Sequence, residues 1–172
     1  MMGQTDPIAT EPIAVVTTGG TLDKVYFDAL STYQVGESVV ARLLAVAAVT
    51  HPVEIVEFSR KDSLDMTDED RARLRERIAG MAARKIVVTH GTDTMTETAA
   101  ALVGLGDKTI VLTGALSPAR FSESDAPFNL GMAFGVVQTS PPGVYIVMNG
   151  TVFAGNSVRK DRMLGRFVRI TG

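Results

Sequence analysis

Short apolar runs alternate along the chain with longer amphipathic stretches. Ile13–Thr17 (IAVVT), Lys85–Thr89 (KIVVT), Thr109–Thr113 (TIVLT) and Val144–Met148 (VYIVM) are continuous, β-branched and apolar, the mark of strands buried on both faces. Val53–Phe58 (VEIVEF) alternates, as a strand does when one face is wetter. Glu37–Ala48 has the composition of a helix, with apolar side chains on most faces. A second helix starts at Thr67, which forms a weak capping box with Asp70. Its inner stripe is Leu74, Ile78 and Met81, and Arg71, Arg73, Arg75 and Arg77 read as its wet side. A third helix starts at Thr92 or Thr94 and ends near Gly104 and Gly106. A fourth is capped by Ser124 or Asp125, carries Pro127 in its first turn and runs to about Val137. Thr151–Phe153 and Phe167–Ile170 read as short extra strands, the latter able to close a sheet edge.

Strand–helix alternation of this kind predicts an α/β fold. The expected form is three-layer and doubly wound (Rossmann- or flavodoxin-like), a mostly parallel sheet with helices on both faces and right-handed crossovers. One domain is expected over residues 1–172, with a loose N-terminal stretch at 1–11. Residues 22–36 show no clean period, and a stretch of that kind inside a compact domain reads as a lid loop.

The strands share a way of ending: Thr18-Gly19, His90-Gly91, Thr113-Gly114 and Asn149-Gly150 place small and polar groups at one edge of the sheet. In open α/β sheets that carboxyl edge is where ligands bind. Thr21 and Thr92 follow glycine turns, where an activated hydroxyl can act as a nucleophile. Asp93 adjoins Thr92, and the loop carrying Lys160 can return to the same edge. Backbone N–H groups at Gly20, Gly91 and Ala115 are candidate oxyanion donors. Tyr26 and Tyr33 lie in the lid stretch. Taken singly, each threonine reads first as a helix cap, and Lys160 as a surface residue. The residues alone reach as far as a hydroxyl-lined site at the strand ends.

Composition narrows the classes. A net charge of −2 with no basic block gives a nucleic-acid partner no support. The absence of cysteine removes disulfides, thiol nucleophiles and thiolate metal sites, and fits a reducing compartment. His51 and His90 are isolated in sequence, so no metal site is expected. Neither G-x-G-x-x-G, the P-loop nor G-x-S-x-G occurs, and no cofactor is expected. With no membrane-length run and no charged-then-apolar leader, the expectation is a cytoplasmic protein without a membrane partner.

The motifs now in view resemble the bacterial-type L-asparaginase family. Thr17-Thr18-Gly19-Gly20-Thr21 is similar to its first threonine motif, and His90-Gly91-Thr92-Asp93-Thr94-Met95 to its second. Asp125-Ala126-Pro127-Phe128-Asn129-Leu130 and Val147-Met148-Asn149 are also family-like. The resemblance implies hydrolysis of the asparagine side-chain amide to aspartate and ammonia through a threonine acyl-enzyme. Carried over, Thr21 is the nucleophile, Tyr33 the lid tyrosine that helps activate it, and Thr92, Asp93 and Lys160 a second catalytic group. Ser63 and Asp93 hold the substrate's α-carboxylate and α-amino groups. The family's second, smaller domain has no counterpart in these residues, so the resemblance is to a short single-domain form. Leu64 stands where many members have a substrate-binding glutamine. An asparagine sensor without turnover, or hydrolysis of another small amide, are the alternatives. The apolar helix Glu37–Ala48 suggests a homo-oligomer, a dimer or larger.

Overall fold

The structure is a computed structural model that describes residues 10–170. Most of the stretch expected to be loose, residues 1–9, lies outside the described residues. Glu11, which lies inside them, is anchored: its carboxylate accepts from the Arg84 amide at 2.8 Å and its carbonyl meets His51 Nε2 at 3.0 Å.

The central sheet has six strands in the order β4 (Val53–Lys61), β1 (Ile13–Gly19), β5 (Lys85–Thr89), β6 (Thr109–Thr113), β7 (Gly143–Met148) and β8 (Thr151–Ala154). The first five are parallel and β8 is antiparallel to β7. Each run of β-branched residues forms a strand because successive side chains point to opposite faces and both faces are covered. On β1, Ala14 and Val16 join a core with Ile86, Val88, Ile110 and Leu112; Ile13 and Val15 join another with Val87 and Val111. The first core is capped by α2 (Asp68–Ala79) through Leu74 and Ile78, and by α3 (Met95–Ala101) through Met95 and Ala99. The second is capped by α1 (Val40–Val46) and α4 (Ala126–Thr139), with Val40, Leu130, Ala133 and Val137 turned inward. The three-layer, doubly wound reading holds.

One expectation about the winding does not. The steps β5–α3–β6 and β6–α4–β7 cross the sheet in the same direction, yet α3 and α4 lie on opposite faces. The two connections therefore have opposite hands. The steps β1–α1–β4, β4–α2–β5 and β5–α3–β6 share one hand, so β6–α4–β7 is the exception and the left-handed crossover. Its physical consequence is coverage. The seven-residue α1 cannot shield Val87, Val111 and Val147 by itself, and the fourteen-residue α4 does.

Local departures have local causes. Residues 22–36 form an ordered hairpin, β2 (Lys24–Phe27) paired with β3 (Thr32–Val35), joined by a short turn with Ser31 at φ 48°. Helix α1 starts three residues later than Glu37, because Val39 is bonded to the Asp23 carboxylate rather than to a helical carbonyl. Phe167–Ile170 does not close the sheet edge. Instead β10 (Arg166–Arg169) pairs with β9 (Val158–Asp161) as a separate hairpin, whose Phe167 and Val158 pack into the first core. The capping box of Thr67 and Asp70 is formed, and Lys61 bonded to Asp70 holds that carboxyl far below its usual range. Arg71 is not on the wet side of α2: it is 8% exposed, with Nε donating to Thr98 Oγ1.

Candidate active site

The strand order reverses at β1, which lies between β4 and β5. The loops after β1 and β5 therefore splay from a topological switch point, and they carry Thr21 and Thr92. They meet through glycine. Gly20 sits at φ 91°, a conformation L side chains rarely adopt, and a Cβ there would collide with the Gly91 backbone. A Cβ on Gly91 would run into Ser63 Oγ and Cβ. Three loops thus meet at two glycines with no room for a side chain at either. Thr94, expected as a possible helix start, precedes α3, and its hydroxyl donates to the Ser63 carbonyl at 2.7 Å, locking the third loop to the second.

Thr21 opens a single 3₁₀ turn, Thr21–Asp23, and is half-buried. Among the expected oxyanion donors, Gly20 is corrected: its N–H donates to the Lys61 carbonyl at 3.0 Å and is not available. The Gly91 and Ala115 amides donate to no protein acceptor among the described residues. The Ala115 loop is held by residues the motif reading left without a role. Asn129 Nδ2 donates to the Gly114 carbonyl at 2.9 Å, and Asp125 accepts from the Leu116 and Ser117 amides.

Thr92, Asp93 and Lys160 come together. Lys160 Nζ donates to Thr92 Oγ1 at 2.7 Å and to Asp93 Oδ1 at 2.9 Å, joining residues 68 and 67 positions apart. The alternation of β9 explains the reach: Val158 points into the core, and Lys160, two residues on, shares its face opposite the buried Phe167. Arg162, in the same basic polar segment as Lys160 and given no site role by the sequence, approaches Asp93 Oδ1 at 3.7 Å.

Tyr33 is 48% exposed on β3. It faces Tyr26 across the hairpin at 5.3 Å between centroids, and Phe121 at 6.1 Å, both edge-on. Among the described residues no hydrogen bond ties it to Thr21. Tyr33 does line a cavity of about 600 Å³ beside the Ser63 loop, with Lys24, Gln34, Asp62, Leu64 and Asp65; Tyr26 does not. Lys24 and Asp62 pair at 2.7 Å at its wall. Ser63 itself is turned inward, its hydroxyl buried against Gly91 without a partner among the described residues. A larger cavity of about 780 Å³ lies between α1 and α4 and contains none of these site residues. Among the described residues no group of His, Asp and Glu side chains could hold a metal ion.

Two buried titratable groups frame the site. His90 is fully buried, and desolvation lowers its pKa to about 4. Asp23, two residues after Thr21, has its pKa raised to about 6 by burial, against the opposing pull of the Val39 amide that bonds Oδ1 at 2.9 Å. The signs differ. Asp23 is happier protonated in the folded state, so its contribution falls as pH rises from about 4 to 6. Neutral His90 is favoured in the fold, so its contribution falls as pH drops from about 6.5 to 4. The two slopes oppose, and the contributions of these two groups offset each other across that window. Asp23→Asn keeps an acceptor for Val39 but cannot ionise. Its stability relative to wild type should improve between pH 4 and pH 7 by up to about 3 kcal/mol in denaturant titrations. A difference that does not vary with pH would contradict the assignment.

Known proteins resemble this chain in sequence and in fold. The family model described as "Asparaginase, N-terminal" matches residues 12–165. Among curated relatives, L-asparaginase 2 of Escherichia coli (strain K12) is 33% identical over 89% of this chain and 47% of its own. The glutaminase-asparaginase of Acinetobacter glutaminasificans is 31% identical over 86% of this chain and 49% of its own. The crystal structure of L-asparaginase I from Vibrio cholerae O1 biovar eltor str. N16961 superposes with a TM-score of 0.81 at 28% identity, covering 94% of this chain and 52% of that one. The chain spans about half the length of the curated relatives it matches.

Proposed function

The chain belongs to the asparaginase family, and from that premise we propose that it hydrolyses the side-chain amide of L-asparagine to L-aspartate and ammonia. The observation that carries the reading is the Lys160 ammonium bonded to both Thr92 and Asp93 at the carboxyl edge, beside the loop of Thr21. Thr21 Oγ attacks the amide carbon while the Gly91 and Ala115 amides receive the developing oxyanion. The proton of the Thr21 hydroxyl passes to the leaving nitrogen, the C–N bond breaks, ammonia leaves, and an ester joins Thr21 to the aspartyl group. Thr92, oriented by Lys160, positions the water that cleaves the ester and restores the Thr21 hydroxyl. Tyr33, on its hairpin over the cavity, closes the site and assists the nucleophile. Asp93 and Ser63 receive the α-amino and α-carboxylate groups, Ser63 after its hydroxyl turns from Gly91 toward the cavity.

The reading includes a cytoplasmic location and assembly as a homo-oligomer. The exposed Val46 and the apolar groove between α1 and α4 support a second copy there, and sedimentation at working concentration should return a dimer or larger. A monomer would remove that part.

The test is ammonia release from L-asparagine and L-glutamine at matched concentrations. Release from asparagine is the expected result. One methylene alone gives about 10–200-fold discrimination in an apolar pocket, so a slower glutamine reaction is compatible with the proposal. A folded protein that releases ammonia from neither amide, yet is stabilised by asparagine against heat, would make the domain a sensor.

A further inference from the structure

A continuous polar chain runs from solvent into the core behind Thr92. Asp68, fully exposed at the start of α2, pairs with Arg71 Nη1 at 2.9 Å. Glu97 on α3 approaches Arg71 Nη2 at 3.6 Å. Arg71 Nε donates to Thr98 Oγ1 at 3.3 Å, and Thr98 Oγ1 lies 2.8 Å from His90 Nε2. His90 Nδ1 is 2.7 Å from the Gly91 carbonyl oxygen. Arg71, Thr98 and His90 are all buried among apolar side chains such as Leu74, Met95 and Leu102.

The donor and acceptor roles along this chain are forced. A carbonyl oxygen only accepts, so His90 Nδ1 carries the hydrogen. Arg71 only donates, so it takes one lone pair on Thr98 Oγ1; the neutral ring, carrying its hydrogen on Nδ1, presents Nε2 as an acceptor, and the Thr98 hydroxyl donates to it. Burial, together with the Arg71 charge nearby, disfavours a second proton on the ring. His90 is thereby held as one tautomer in one orientation, with its N–H aimed at the carbonyl of the residue before Thr92. The peptide joining Gly91 to Thr92 also presents the Thr92 backbone to the site, so the ring sets where the Thr92 hydroxyl stands.

We propose that Thr98 and Arg71 are positioning residues for the reaction, acting through a tautomer-locked His90 on the Gly91–Thr92 peptide. Neither touches substrate, and neither is a catalytic residue. Thr98 lies one turn into α3, and Arg71 on α2, so the lock also ties the two helices of one face to the catalytic loop. The effect on turnover rests on the hydrolase reading above; the lock itself does not.

The test pairs kinetics with nitrogen NMR of histidine-labelled protein, on the full chain. In wild type, His90 should show a protonated Nδ1 and an unprotonated Nε2 across neutral pH. Thr98→Val keeps the shape but removes both the donor to Nε2 and the acceptor for Arg71. It should lower kcat by about 10–100-fold with KM changed less than about threefold, and the His90 Nε2 resonance should shift as its hydrogen-bond donor is lost, the Nδ1–H staying on the Gly91 carbonyl. Thr98→Ser should restore both. Arg71→Met, which leaves the Thr98–His90 bond in place, serves as a milder variant should Thr98→Val fold poorly. It should lower kcat by about 3–10-fold, because Thr98 is then free to rotate. A folded Thr98→Val protein with wild-type kcat, or with an unchanged His90 spectrum, would overturn the proposal. Absence of ammonia release from wild type would count against the hydrolase reading instead, and the spectra would still decide the lock.

Discussion

Thr21→Ala is expected to abolish ammonia release, by about 10⁴-fold or more in kcat, without unfolding the protein. The size follows from the role: without the hydroxyl no acyl-enzyme forms, and the amide must await direct attack by water. The fold should be indifferent. Thr21 is half-buried, and among the described residues its hydroxyl makes no hydrogen bond, so deletion leaves no stranded partner. A stability change within about 0.5 kcal/mol is expected. Thr21→Ser should keep part of the rate, because the attacking oxygen survives. The measurement is coupled ammonia detection on protein whose thermal transition has been checked. A Thr21→Ala protein within tenfold of wild type would transfer the nucleophile elsewhere, and Thr92 would be the next hydroxyl to remove.

Lys160→Met is the second large effect, an expected loss of about 10²–10⁴-fold in kcat. Its side chain is 16% exposed and gives hydrogens to both Thr92 and Asp93, so two partners are stranded at once. Methionine fills much of the space along the stem, and Val158 and Phe167 keep β9 and β10 docked, so the hairpin should remain. Arg162 lies near enough to Asp93 to compensate part of its charge. It is not bonded to Thr92, so turnover should fall much further than binding. Lys160→Arg separates charge from geometry. The guanidinium keeps the positive charge but is planar and does not give up its proton, so it should not rescue the rate. If Lys160→Arg matches wild type, the lysine serves only to neutralise Asp93.

Much of the site was legible because its signals are short-range. A strand, a glycine turn and a polar residue occur within nine positions in Ile13–Thr21 and in Lys85–Asp93, and period-two alternation is enough to bury the strands. Lys160 was placed by likeness of motif, and its β9 was not seen as a strand, since Val158–Asp161 is four residues with three charges. The arginine run of α2 misled in one position. Acidic neighbours made all four arginines look solvated, but a helix turns 100° per residue, and Arg71 falls beside the stripe of Leu74 and Ile78. The signal was present in the spacing Arg71–Leu74–Ile78, three then four. Gly20 looked like an oxyanion donor because it lies in a glycine turn at the strand edge, and only its bond to the Lys61 carbonyl at 3.0 Å removes it.

The amino-acid sequence by itself determined the alternation of elements, the two-sided burial of the central strands, the glycine-lined edge and the family, because each depends on neighbours a few residues apart. The hand of the β6–α4–β7 crossover, the Lys24–Asp62 pair, the burial of Arg71 and the meeting of Lys160 with Thr92 were decided by tertiary structure alone. Each joins segments tens of residues apart, and which of them meet is settled only when the sheet, its two cores and the β9–β10 hairpin compete to cover the same apolar surface.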